Sequence, residues 1–120
     1  MRILIVEDSE DIQILLTKVL EVEDHELFFA DNGKAAVELV LANPLDFIFM
    51  DMSLPIMTGW EAVRVLRSIA SFKDLPIVAL TAHASKKDEE KALEAGCTSF
   101  ISKPFDMNAI LDCLDQFRRV

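Results

Sequence analysis

Five short apolar runs recur along the chain, and amphipathic patterns separate them. Four of the runs are nearly continuous rather than alternating, which is typical of strands buried on both faces of a parallel sheet. The runs are Ile3–Val6, Leu27–Ala30, Phe47–Met50, Ile77–Leu80 and Phe100–Ile101. Because strand and helix alternate, the connections should be right-handed crossovers that cover both faces of the sheet. The pattern therefore predicts an α/β fold with a doubly wound parallel sheet of five strands.

The segments between the runs predict helices, the fourth opening on the capping box Ser85–Asp88 and ending at Gly96. The other expected extents are about Glu10–Leu20, Lys34–Ala42, Gly59–Ala70 and a last helix after Asp106. The residues expected to face the sheet are Ile12, Leu15, Leu16, Val19 and Leu20 in the first helix and Ala36, Val37, Val40 and Leu41 in the second. In the third helix Arg64 and Arg67 should point away. The fourth helix should bury few apolar side chains, mainly those of Ala92, Leu93 and Ala95, which makes this helix a candidate for movement.

Length and charge exclude several classes of protein. A chain of 120 residues fits one domain, residues 1–120, and the formal charge of −9 argues against direct nucleic-acid binding. No apolar run approaches the roughly 20 residues of a membrane span. Cys97 and Cys113 are too far apart for a Cys-x-x-Cys motif and are interpreted as reduced packing residues. We therefore expect a cytoplasmic protein without membrane contact.

Polar side chains follow the predicted strands where the strands end: Glu7 and Asp8, Asp51, Thr81 and Lys103. The carboxyl ends of parallel strands meet at one edge of a sheet, where ligands bind in folds of this kind. Carboxylates crowded there repel one another unless a divalent cation is present, and Mg²⁺ prefers such oxygen ligands. The set predicts a magnesium-assisted phosphoryl acceptor, with Asp51 as nucleophile and with Thr81 and Lys103 binding phosphoryl oxygens.

Four segments together carry a resemblance to a known family: Ile3–Asp8, Asp51–Gly59, Leu80–Ala82 and Phe100–Phe105. On these segments the chain resembles the response-regulator receiver domains, the CheY-like family, over nearly all of its 120 residues. The resemblance implies a flavodoxin-like (βα)5 fold with the strand order 2-1-3-4-5, the order of CheY itself.

The resemblance also implies a role for each site residue. Asp51 is the expected phosphoacceptor, and the expected magnesium ligands are Glu7 (mainly through water), Asp8, Asp51 and the backbone carbonyl of Ser53. The expected phosphoryl-binding and switch residues are Thr81, Ala82, Lys103 and Phe100, and the Lys103–Pro104 peptide bond is expected to be cis. Phe100 stands where tyrosine is frequent in the family, so a switch that uses a phenolic hydrogen bond is not expected, and ordinary core packing is the alternative. His83 is assigned no catalytic role.

The implied function is a signalling receiver in a two-component system. Its phosphoryl group would come from a phosphohistidine of a sensor kinase or phosphotransfer protein, and its helix 4, strand 5 and helix 5 face would bind a downstream target. Its expected activity is at most self-phosphorylation and self-dephosphorylation. The domain is expected to be a monomer, with dimerisation on activation as a further possibility. The alternatives are a phosphate-independent pseudo-receiver and an aspartyl phosphatase, which needs a second acid where this chain has Ser53. Trp60 is interpreted as a packing anchor, with a docking role as the alternative.

Overall fold

The computed structural model describes residues 1–82 and 85–118. The strands are β1 (Arg2–Val6), β2 (Glu26–Ala30), β3 (Phe47–Asp51), β4 (Ile77–Thr81) and β5 (Ser99–Ser102). The helices are α1 (Glu10–Leu20), α2 (Gly33–Ala42), α3 (Gly59–Arg67), α4 (Lys86–Ala95) and α5 (Met107–Arg118), with a single 3-10 turn at Ala70–Phe72. Within the described ranges, none of the helices has the length and apolar character needed to span a bilayer.

The strands form one parallel sheet in the order β2-β1-β3-β4-β5. This confirms the predicted fold class and the strand order that the resemblance implies. In the register of the sheet, Val6 pairs with Met50, Asp51 with Leu80, and Thr81 with Ser102. The residues that follow these strands therefore meet at one edge, because neighbouring parallel strands end side by side.

Two apolar layers cover the sheet, one on each face. On one face Leu4, Val6, Ile48 and Met50 pack with buried residues of α2, α3 and α4. On the other face, Ile3, Ile5, Phe47 and Phe49 pack with α1 and α5. Successive side chains of a strand point to opposite faces, so a sheet covered on both sides needs an apolar residue at every position. This accounts for the continuous apolar runs of the sequence.

The predicted apolar helix faces were too wide. Leu15, Leu41 and Leu93 are exposed, whereas Leu16, Val40 and Ala92 are buried. Adjacent helical residues lie about 100° apart, so each exposed leucine sits one position beyond a buried stripe. The expectation that these leucines pack inward was wrong.

α3 ends at Arg67, three residues before the predicted Ala70, and Arg67 does not point away from the protein. Ile69 is extended, with φ −97° and ψ 118°, which interrupts the helix. The Arg67 guanidinium donates to the Gly96 carbonyl at 2.8 Å, to Thr98 Oγ1 at 3.2 Å, and to the Phe72 carbonyl. Arg67 thus ties the end of α3 to the end of α4, and the prediction for it was wrong, although Arg64 is exposed as expected.

The predicted ends of α4 are confirmed. The Ser85 hydroxyl oxygen accepts the Asp88 backbone N–H at 3.2 Å, and Gly96 adopts the left-handed conformation with φ 112°. A side chain at Gly96 would place its Cβ 2.6 Å from Arg67 Cγ. Glycine is therefore required there by its backbone conformation and by the close approach of Arg67.

Candidate functional site

Three carboxylates converge at the carboxyl edge of the sheet. Glu7 and Asp8 follow β1, Asp51 ends β3, and each offers an oxygen that lies within 4.8 Å of the other two. Glu7 is 1% exposed and Asp51 4% exposed, whereas Asp8 is open to solvent. Carboxylates buried this close together need a cation to stay ionised together.

The Lys103 ammonium supplies one positive charge inside this cluster. Its Nζ lies 2.8 Å from Glu7 Oε2 and 3.5 Å from Asp51 Oδ1. The chain is held there by a hydrogen bond of 2.7 Å from the Lys103 N–H to the Thr81 carbonyl, and the Lys103–Pro104 peptide bond is cis. The ammonium is therefore shared between the two buried acids.

Burial raises the pKa of Glu7, and the ion pair with Lys103 opposes that shift. Glu7 Oε1 also accepts the Ser9 N–H at 3.1 Å. Its backbone carbonyl accepts the side-chain amide of Gln13, one helical turn into α1. Gln13 was missing from the sequence prediction, because nothing in the spacing of a polar helical residue indicates which carbonyl its side chain will reach.

The loop after β3 fixes the Asp51 carboxylate. Asp51 Oδ1 accepts the Ser53 backbone N–H at 3.1 Å, while the Ser53 side chain is exposed. The loop then returns to the strand, where the Gly59 N–H donates to the Met52 carbonyl at 3.3 Å. A Cβ at Gly59 would lie 2.3 Å from the Asp51 carbonyl oxygen, so this close approach requires glycine.

The remaining predicted site residues lie at the ends of β4 and β5. Thr81 is buried at the end of β4, the neighbour of the strand that ends in Asp51, and Ala82 follows it in an exposed bend. Phe100 of β5 is half-buried and packs against the apolar layer formed with α2, α3 and α4. His83 lies outside the described residues.

The donor set fits a hard divalent cation. Three carboxylates have oxygen atoms within 4.8 Å of one another, and the backbone of Ser53 lies next to one of them. All the ligand atoms that the described residues of this cluster offer are oxygens. Mg²⁺ and Mn²⁺ suit such ligands, whereas Zn²⁺ favours histidine and cysteine. The exposed side of the cluster, at Asp8, leaves room for water ligands.

The fold and the site define a doubly wound α/β protein with an acidic centre at the carboxyl edge of its sheet. The family model described as the response regulator receiver domain matches residues 3–115 of the sequence. The polar-differentiation response regulator DivK of Brucella anthropi is 31% identical over 115 residues, which span 96% of this chain and 94% of that protein. The chain belongs to the response regulator receiver domain family, whose members are signalling switches of two-component systems rather than classical enzymes.

Solved structures support the same assignment. The receiver domain of the sensor histidine kinase PA1611 from Pseudomonas aeruginosa, with magnesium in its active site cleft, superposes with a TM-score of 0.91 at 30% identity. The match covers 99% of this chain and 98% of that one. A chain from the complex of the Saccharomyces cerevisiae phosphotransfer protein Ypd1 with the receiver domain of Ssk1 has a TM-score of 0.92 at 31% identity, covering 98% and 88%.

Proposed function

We propose that this domain accepts a phosphoryl group on Asp51 and thereby switches the binding of a partner protein. The observation that carries the proposal is the position of the buried Asp51 carboxylate, which lies within 4.8 Å of carboxylate oxygens of Glu7 and Asp8 and 3.5 Å from the Lys103 ammonium. Two acids for a metal, one acid as nucleophile and one ammonium are the groups that a metal-assisted phosphoryl acceptor needs.

The proposed magnesium ligands are Asp8, Asp51 and the Ser53 backbone carbonyl, with Glu7 acting mainly through water. The magnesium-bound receiver of PA1611 supports this proposal by its similarity to the chain. Bound magnesium would neutralise the acidic cluster and the charge of an incoming phosphoryl group. Lys103 already carries out part of that neutralisation through its contacts with Glu7 and Asp51.

In the proposed transfer, a carboxylate oxygen of Asp51 attacks the phosphorus atom of a phosphohistidine. Asp51 Oδ1 is held by the Ser53 N–H and lies near Lys103, so we assign the attack to Oδ2. The new P–O bond forms as the P–N bond breaks, and the imidazole leaves. Lys103, the Thr81 hydroxyl and Ala82 would bind the phosphoryl oxygens, on which charge is concentrated during the transfer.

The proposed phosphodonor is a sensor histidine kinase or a histidine phosphotransfer protein. The similarity to a chain from the Ypd1 and Ssk1 complex supports a donor of the second kind. The downstream target would bind the face of α4, β5 and α5, where Phe100 is half-buried and thus able to change its packing. The domain would act in the cytoplasm. Dimerisation on activation would appear in sedimentation with beryllofluoride and magnesium.

Intact-mass spectrometry after incubation with acetyl phosphate and magnesium tests the phosphoacceptor. We expect one phosphoryl adduct on the wild type and on Asp24→Asn, which alters an exposed acid, but none on Asp51→Asn. Chelation of magnesium with EDTA should abolish the adduct. A wild type that stays unmodified, both by acetyl phosphate and by a phosphohistidine donor, would instead indicate a phosphate-independent binding module.

A further inference from the structure

A groove of about 400 Å³ lies between α1 and the edge strand β2, outside the acidic cluster. Its apolar side chains are Ile14 of α1 and Phe29 of β2, which are 47% and 44% exposed. Gln13 and Phe29 also line a second cavity, which is bordered by Asp31 as well. Neither Ile14 nor Phe29 has a part in the proposed phosphoryl transfer.

The main chain of β2 is open on the side of this groove. Within residues 1–82 and 85–118, β2 pairs with β1 alone and forms one edge of the sheet. The Glu26 N–H and the Ala30 carbonyl both bond toward β1, each at 3.0 Å. Backbone groups alternate between the two sides of a strand, so Leu27 and Phe29 direct theirs to the open edge. An edge of this kind is a template for an additional strand.

The charges around the groove select the kind of strand that fits. Carboxylates of Glu10 and Glu21 line it, with Asp31 in the second cavity, and they outnumber the single ammonium of Lys18. The whole chain carries a formal charge of −9. A second copy placed here would bring like charges together, whereas a basic segment would be attracted.

We propose that the free edge of β2 and the groove beside it bind an extended, basic and apolar segment of another protein. The segment adds as a strand through the main-chain groups of Leu27 and Phe29. One of its apolar side chains enters between Ile14 and Phe29, and its lysine or arginine side chains face Glu10 and Glu21. The sheet supplies the main-chain hydrogen bonds, and the groove supplies the selectivity for sequence.

Selection of a phage-displayed random peptide library on the immobilised wild-type domain tests this proposal. We expect enriched peptides that combine lysine or arginine with an apolar residue. Their affinity should fall by about tenfold or more in the double variant Ile14→Ser with Phe29→Ser, because both apolar contacts are lost. The matched control is Leu15→Ser with Val22→Ser, which alters two exposed apolar residues outside the groove and should leave the affinity nearly unchanged.

Hydrogen exchange by NMR provides the second measurement. On binding, the amide protons of Leu27 and Phe29 should exchange more slowly, since they become the donors to the new strand. Binding should persist in Asp51→Asn, which keeps this proposal independent of the phosphoacceptor. The proposal is overturned if no peptides are enriched, or if the enriched peptides lack basic residues. It is also overturned if the peptides bind the Ile14→Ser, Phe29→Ser variant as tightly as the wild type, or if the domain forms a homodimer that Phe29→Ser converts to monomers.

Discussion

The Lys91 ammonium of α4 lies over the Trp60 ring at the start of α3, 4.7 Å from the ring centroid. This cation–π contact connects α4, which buries few apolar side chains, to Trp60, which follows the loop after Asp51. Trp60 is half-buried against the apolar layer of α2, α3 and α4, which agrees with its interpretation as a packing anchor. It is the only tryptophan of the chain, so its fluorescence reports on this contact directly.

Lys91→Met should shift Trp60 emission and lower the free energy of unfolding by about 0.5–1 kcal/mol, the usual size of an exposed cation–π contact. Fluorescence spectra and urea unfolding measure the two effects. Lys87→Met removes another exposed lysine of α4 and should change neither quantity. Identical spectra for Lys91→Met and the wild type would show that the contact does not form in solution.

Arg67 should contribute more to stability than any exposed arginine of α3. Arg67→Met leaves the Gly96 carbonyl and Thr98 Oγ1 without their charged donor, and we expect a loss of about 2 kcal/mol or more in urea unfolding. Arg67→Lys should restore only part of it, because an ammonium cannot reproduce the planar fork of donors. Arg64→Met, at an exposed position of the same helix, should change stability by less than about 0.5 kcal/mol.

The sequence correctly predicts the apolar layers on both faces of the sheet and the sheet edge that carries the candidate site, because both follow from short-range sequence patterns. A strand covered on both faces must be apolar throughout, and whatever follows it must lie at the carboxyl edge; Glu7, Asp51 and Thr81 are placed by this rule alone. Leu15 shows the limit, since a stripe of leucines does not reveal how wide a helix face the neighbouring elements will cover. Arg67 shows another, because its acceptors are carbonyl groups 5 and 29 residues away in sequence.

The two buried thiols should make the protein less stable in alkali. Burial raises the pKa of Cys97 and Cys113 from 9.0 to about 11. Unfolded thiols lose their protons near pH 9, whereas the folded thiols keep theirs to about pH 11. The unfolded state then binds fewer protons in this interval, so stability falls as the pH rises through it.

Urea unfolding on both sides of pH 9 measures this slope, and the absence of tyrosine from the chain removes one competing titration. Cys97→Ala with Cys113→Ala should flatten the alkaline slope while leaving the slope near neutral pH unchanged. In the folded wild type, both thiols should react slowly with iodoacetamide at mildly alkaline pH and quickly once urea is added. A double variant with the wild-type slope would assign the alkaline loss to other groups.

Lys103→Met should destabilise the metal-free domain at neutral pH by on the order of 3 kcal/mol, because it leaves two buried carboxylates without their ammonium. Lys73→Met, which removes an exposed lysine, is the matched control and should change stability little. Thermal and urea unfolding of both variants, with and without magnesium, measure the difference.

The pH dependence of that loss follows from Glu7. Burial already raises the pKa of Glu7 above its ordinary value, and removal of Lys103 should raise it further. A raised folded-state pKa favours folding while the carboxyl is protonated, and this advantage disappears as the pH rises through the folded pKa. The deficit of Lys103→Met should therefore shrink as the pH is lowered toward the ordinary pKa of a glutamate. Magnesium should shrink it at neutral pH, since a cation bound only by the folded state offsets the missing charge. A deficit independent of both pH and magnesium would mean that Lys103 stabilises the domain by packing alone.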